Sequence, residues 1–178
     1  FHVQPEQCLV REPDNEKLLA LFRELEFTSL LQYVSQAGTP VKAEIVTSLD
    51  RLKEIIAGMD GPFAFDVETT GRNPVTAEIV GISLCSATGM GCYIPVGHAC
   101  ITDMKRPRLS EVLQVLKPLM EDASVAKIGH NIKYDIICLK QQGMDVAGRI
   151  FDTMVASHLL NPNRSNHNLE ATVLQYLG

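Results

Sequence analysis

A chain of 178 residues with 46% hydrophobic and 21% charged side chains has the make-up of a globular protein, long enough for one good-sized domain with an appendage. Its net charge of −5 withholds the basic face that usually marks a nucleic-acid binder, yet suits a site that holds metal cations and is itself acidic. No apolar run approaches the roughly 20 residues of a membrane span; the five cysteines (Cys8, Cys85, Cys92, Cys100, Cys138) contain no C-x-x-C pair and the five histidines no H-x-x-x-H spacing, which speaks for reduced thiols and against both a disulfide framework and a zinc site.

The opening residues, FHVQPEQCLV, carry neither Met nor a charged-then-apolar leader, as expected of a cut inside a longer chain. Residues 14–35 have helical periodicity, with Leu18, Leu19, Leu21, Phe22, Leu25 and Phe27 on one side and Asp14 as N-cap. Residues 36–43, punctuated by Gly38 and Pro40, read as a linker. The chain is thereby divided into residues 1–40, the tail of a preceding domain plus linker, and residues 41–178. A strand at 44–48 and a helix at 49–59 follow, then a strand at 62–69. Two further strands, 78–88 and 91–97, stand at hairpin distance around Gly-Met-Gly. A helix over 110–122 is expected with Ser110 as cap and Pro118 as a kink or stop. A short strand at 126–130 leads into a helix over 131–143, stopped by Gly143. Residues 149–153 run into a helix broken at Pro162, and 168–178 begin a last helix. Strands joined by short turns, then helix–strand alternation, predict an α/β fold: a mixed sheet covered by helices.

The stretch FAFDVETTG (63–71) sets two acids in an apolar run. On a strand, Phe63, Phe65 and Val67 share one face, and Ala64, Asp66 and Glu68 the other. The acids stand about 7 Å apart at about 3.4 Å per residue. With charge centres about 5 Å apart and an effective dielectric near 20, their repulsion is on the order of 3 kcal/mol. A proton on one acid or a cation between them relieves it, and Mg²⁺ or Mn²⁺ in oxygen coordination is the economical solution. A D-x-E pair alone also fits a solvated edge strand; the turn residues after Glu68 instead place the acids at an open mouth of the sheet.

Residues 127–139, KIGHNIKYDIICL, form the second cluster. Asn131 and Asp135, i and i+4 on a helix, share a face, with Tyr134 beside the acid and Ile132, Ile136 and Leu139 on the buried side. Asn131 also suits a helix cap and Asp135 a surface acid. Lys127, Lys133 and Lys140 suit a solvated helix face better than a phosphate-attracting one. Three carboxylates from two elements are thus available to converge on metal.

FDVETTG (65–71), GISLCSATGMGCYIPVGH (81–98), LKPLMEDASVAKIGHNIKYD (116–135) and GRIFDTMVASHLLNP (148–162) together resemble the 3′–5′ proofreading exonuclease domain of bacterial DNA polymerase I, a DEDD exonuclease of RNase H-like fold. The resemblance runs from about residue 42 to the C-terminus. Residues 1–35, and within them 9–31 above all, resemble the end of the 5′-nuclease domain that precedes it in such polymerases, so the chain looks like an excised, C-terminally truncated middle piece.

The resemblance implies that Asp66 bridges two divalent metals (Mg²⁺ or Mn²⁺), that Glu68 holds one, and that Asp135 serves the second through water. It places Asn131 and Tyr134 in the groove for the 3′-terminal nucleotides and Thr69 where its backbone meets the terminal sugar. Arg72 occupies the place of a leucine that wedges the terminal bases in many relatives; it suits stacking on a base, pairing with a phosphate, or a plain surface position. The implied reaction is metal-assisted hydrolysis of the 3′ end of single-stranded DNA, in a cytoplasmic bacterial monomer whose partners are the polymerase and 5′-nuclease domains of its parent chain, with no membrane. The family's later Y-x-x-x-D motif is not completed here, since Tyr176 is followed only by Leu177 and Gly178. Weak metal binding and poor degradation of DNA are therefore expected of this piece. Asp152 is read as a helix N-cap outside the catalytic set. A non-catalytic module that keeps the fold as a spacer or single-strand groove is the alternative, and an RNase D-like enzyme acting on RNA a third.

Overall fold

The computed structural model describes residues 9–10, 12–25, 27–34, 42–97 and 106–177. The chain divides into two compact units, residues 1–38 with 169–178, and residues 39–168. Cys8, Cys100 and most of the expected linker, including the boundary at residue 40, lie outside the described residues.

In the first unit, helix α1 (Asn15–Glu24) starts where Asp14 Oδ1 accepts a hydrogen bond from Lys17 N at 3.1 Å, as its sequence predicts. The single helix expected over 14–35 is in fact α1 followed by a 3₁₀ turn, Thr28–Tyr33. Phe27, Thr28 and Ser29 are weak helix formers, and the chain tightens there. Leu19, Leu31 and Val34 are buried, with Leu18, Phe22 and Leu174 packed against them, whereas Leu21, Leu25 and Phe27 are exposed. Leu174 belongs to α6 (Leu169–Tyr176).

The second unit is built on a six-stranded sheet of order β1-β4-β3-β2-β5-β6. Its strands are β1 (Lys42–Ile45), β2 (Phe63–Thr69), β3 (Ile79–Ala87), β4 (Met90–Pro95), β5 (Lys127–Gly129) and β6 (Ile150–Asp152). β2, β3 and β4 run antiparallel as neighbours, whereas β1 on β4, β5 on β2 and β6 on β5 are parallel. Register and two-residue alternation set the two faces. Val67, Ile82 and Ile94 are opposite one another across three strands, as are Phe65, Leu84 and Cys92, and all six are buried. They join one core with Leu52 of α2 (Leu49–Ala57), Val112, Leu116 and Met120 of α3 (Leu109–Met120), and Cys138 and Leu139 of α4 (Lys133–Gln141). Helix α5 (Thr153–Leu160) follows β6 directly.

Several elements depart from expectation. α3 starts at Leu109 because Arg108 N donates to Glu111 Oε2 at 3.0 Å, so Ser110 lies inside the first turn and caps nothing. Pro118 neither ends nor breaks this helix, which continues to Met120. α4 begins at Lys133, two residues after Asn131. It ends as predicted, with Gly143 at φ 77°. Lys127 is fully buried rather than on a solvated face: its ammonium donates to Asp122 O at 2.6 Å, 6.0 Å from the Phe63 ring centroid, and burial pulls its pKa down. Among the described residues Cys85, Cys92 and Cys138 are free thiols.

Candidate active site

The first site element is β2. Its burial alternates as the sequence predicts, with Phe63, Phe65 and Val67 buried and Asp66 and Glu68 exposed on the opposite face. On that face Asp66, Ser83 and Tyr93 lie in one row across β2, β3 and β4, and Glu68 pairs with Gly81. A Cβ at Gly81 would run into the Tyr93 hydroxyl and ring, so any larger residue there would displace that side chain. Tyr93 therefore leans along the sheet over Gly81, toward Glu68. Burial, and then the Glu68 charge, push the Tyr93 phenol up. A bulge between Glu68 and Thr69 ends the regular ladder immediately after the second acid.

The second element is the start of α4. β5 pairs with β2 only at Phe63 and Ala64. Past that point β2 has a free edge, and the Asp135 side chain takes the place of the missing strand. Its Oδ1 accepts a hydrogen bond from Val67 N at 2.9 Å. Asp135 is 3% exposed. It is thus no surface acid: burial raises its pKa to about 7, against the Val67 hydrogen bond and with added repulsion from Asp66 and Asp152. Asp66 is also raised, by partial withdrawal from water and then by Glu68, with His130 opposing. Asp66 is thus coupled electrostatically both to Glu68 and to Asp135. Among the described residues, however, no three His, Cys, Asp or Glu side chains form a ready-made metal cluster. The donor set offered by Asp66 and Glu68 is oxygen-only, the chemistry that suits Mg²⁺ or Mn²⁺.

The remaining predicted residues fall around these two elements. The Tyr134 hydroxyl lies 2.6 Å from Thr69 Oγ1 and donates to Gly71 O, and Thr69 Oγ1 is 2.9 Å from the same carbonyl. This triangle ties α4 to the turn after Glu68. Arg72, next along, is exposed. Asn131 does not share a helical face with Asp135, nor does its side chain cap α4. It precedes the helix with φ 59°, a left-handed conformation that asparagine tolerates. The cap comes from Asp152. Its Oδ1 accepts from Asn131 N at 3.0 Å and Met154 N at 2.8 Å, and its Oδ2 from Ile132 N at 3.0 Å. Asp152 is the N-cap of α5, as predicted, and also holds the turn into α4.

His130 was not singled out by sequence reasoning. Its Nδ1 lies 2.9 Å from Thr153 Oγ1, which itself donates to Gly129 O at 3.1 Å. The hydroxyl proton is thus committed, and the Thr153 oxygen is left to accept from Nδ1. Nε2 is buried without a hydrogen-bond partner, and the ring acts on the Asp66 charge. A buried ring nitrogen with no protein partner near Asp66 suits contact with a water or a ligand. The only signal in sequence is the position of His130 between a strand end and a strained asparagine.

Residues 43–178 match the family model described as 3′–5′ exonuclease. The chain is 34% identical over 190 residues to DNA polymerase I of Pseudomonas aeruginosa, covering 94% of this chain and 20% of that protein. It is 35% identical over 132 residues to DNA polymerase I of Chloroflexus aurantiacus, covering 73% and 14%. It thus spans about a fifth or less of the length of these relatives. Among solved structures, the POL domain of Pol1 from M. smegmatis, in complex with DNA primer-template and dNTP, superposes with a TM-score of 0.57 at 20% identity, over 76% of this chain and 22% of that one. That likeness speaks for the fold alone.

Proposed function

The chain belongs to the 3′–5′ exonuclease family of A-type DNA polymerases, and on that premise we propose that it is the proofreading part of a DNA polymerase I, which within the longer protein removes 3′-terminal nucleotides from single-stranded DNA, the piece by itself degrading DNA poorly. The observation that carries this reading is the joint placement of Asp66, Glu68 and Asp135: two acids at the bulged end of a strand, and a third seated against the strand's own backbone between them. Asp66 and Glu68 would hold Mg²⁺ or Mn²⁺ directly and Asp135 through water. When bound, such ions supply an activated water and stabilise the leaving oxygen.

The chain's own residues do the rest. The buried Asp135 fixes the β2 edge, so that Asp66 and Glu68 project at a constant spacing. The Thr69–Tyr134–Gly71 triangle holds the turn where the last sugar would rest. Asn131 and Tyr134 would line the groove for the 3′-terminal nucleotides, and Arg72, which is exposed, would be available to stack on a base or meet a phosphate. Residues 1–40 are read as the end of a preceding 5′-nuclease-like domain and 41–178 as exonuclease domain, with the polymerase and 5′-nuclease domains as partners in one chain.

The test is shortening of 3′-labelled single-stranded DNA with Mg²⁺ or Mn²⁺, run on the chain and on the longer polymerase proposed to contain it. Glu68→Ala and Asp66→Ala in the polymerase should each lower the rate at least about a hundredfold, the loss typical when transition-state charge stabilisation is removed. Unchanged shortening by both variants would overturn the assignment and leave the non-catalytic spacer reading.

A further inference from the structure

A second group of chemistry-bearing side chains lies outside the acid site, where the end of α5 meets residues 161–168. Ser157 is 1% exposed, and its Oγ lies 3.0 Å from His167 Nδ1. The other nitrogen of that ring, Nε2, lies 3.3 Å from Nδ1 of His158. The two rings are edge-on, 72° apart, with centroids 4.9 Å from each other. Arg164 Nη1 reaches Ser157 Oγ at 3.5 Å.

We propose that His158 Nδ1 and His167 Nε2 together form a binding site for a transition-metal dication of the zinc class, the remaining coordination positions being filled by water. Three observations support it. The first is the separation. His158 Nδ1 and His167 Nε2 are 3.3 Å apart. Two imidazole nitrogens at about 2.0–2.1 Å from a tetrahedral zinc stand about 3.3–3.4 Å apart. The second is the partner of His167 Nδ1. A ligating histidine gives its other N–H to an oxygen that fixes tautomer and ring orientation. Ser157 Oγ is such an oxygen, buried and reached by His167 Nδ1. In the tautomer that directs Nδ1–H to it, the Nε2 lone pair faces His158. The third is position. His158 lies in the last turn of α5, where the helix dipole favours a cation. His158 is exposed and His167 half-buried, so one ring is anchored and the other can swing onto the ion.

Imidazole donors separate this site from the carboxylate site, since nitrogen favours Zn²⁺, Co²⁺, Ni²⁺ or Cu²⁺ over Mg²⁺. Arg164 is the opposing charge: its guanidinium behind Ser157 weakens the attraction. The two histidines stand nine positions apart in sequence, which is why no helical spacing rule flags them.

The experiment is titration of the full chain with Zn²⁺ in excess Mg²⁺, followed by calorimetry and by the imidazole NMR signals of His158 and His167. One equivalent should bind saturably, and both rings should shift together, His167 into its Nδ1–H and His158 into its Nε2–H tautomer. His158→Ala, an exposed change, and His167→Ala should each abolish that equivalent. Ser157→Ala should weaken it about tenfold, as loss of an outer-shell partner does. Asp66→Ala should leave it unchanged. Absence of a saturable shift at both imidazoles in the unaltered chain would overturn the proposal, as would undiminished Zn²⁺ binding in His158→Ala with its fold intact by circular dichroism.

Discussion

Asp135 titrates near neutrality because its carboxyl lies in a dry notch, where it serves as the hydrogen-bond partner of a backbone amide. Its folded pKa of about 7 stands above the ordinary 3.8. Between those values the folded chain holds a proton that the unfolded chain has released. Stability therefore falls as pH rises from about 4 to about 7, and the whole deficit is present above that. Asp135→Asn keeps an acceptor for Val67 N and removes the charge. It should raise stability at pH 8 by about 1–4 kcal/mol, at about 1.4 kcal/mol for each tenfold change in proton affinity, and the gain should vanish toward pH 4. Urea unfolding at the two pH values, without divalent metal, measures this. Adding Mg²⁺ should narrow the difference at pH 8, since a cation also relieves the buried charge. Asp66 and Glu68 were legible as a pair, because two-residue alternation puts them on one face of any strand. The burial of Asp135, the orphan nitrogen of His130 and the lean of Tyr93 over Gly81 were not, because each depends on which strand stops short and where its neighbour turns.

At the scale of elements, Asp152 joins two that are distant in sequence. One carboxylate serves the first turn of α5 and the entry to α4, where Asn131 is left-handed. Asp152→Ala removes a helix cap and strands the amides of Asn131 and Ile132. It should destabilise the unit by about 2–4 kcal/mol in thermal or urea unfolding. Asp152→Asn keeps one acceptor oxygen, loses the one facing Ile132, and should fall between. The sequence marked the cap on α5 but not the clamp on α4, since the second role is a contact 20 and 21 residues away. β6 was passed over as a strand for a related reason: Ile150 and Phe151 are both exposed, so the edge strand carries no alternating burial. The run at 14–35 misled in the opposite way, its leucines being periodic enough for a helix that the backbone abandons after Glu24.

For the molecule as a whole, the two compact units differ in the core that sustains them. Residues 39–168 share a cluster extending from Val46 to Met144, through every antiparallel strand and three helices. In the other unit the described buried cluster is only Leu19, Leu31 and Val34 with their flanks. Opening free energy follows buried apolar contact. Amides of α1 and α6 should therefore exchange with deuterium at least about tenfold faster than those of β2, β3 and β4; equal protection would show that the small cluster is not the weaker one. The mixed sheet was legible because hairpin spacing and helix–strand alternation are local signals. Its order, with β2 seated between an antiparallel and a parallel neighbour, was not local, and that order is what leaves the edge of β2 free for Asp135.

The seat of Asp135 against Val67 also bears on how such a chain would decay. A descendant with no use for the proposed reaction would have no reason to keep Glu68, an exposed side chain, and drift would erase it early. Asp135, or an amide in its place, would persist as a vestige, because the strand beneath it would otherwise lose its lateral bond. In a degenerate copy of this domain, the missing Glu68 rather than the surviving Asp135 is the sign of retirement.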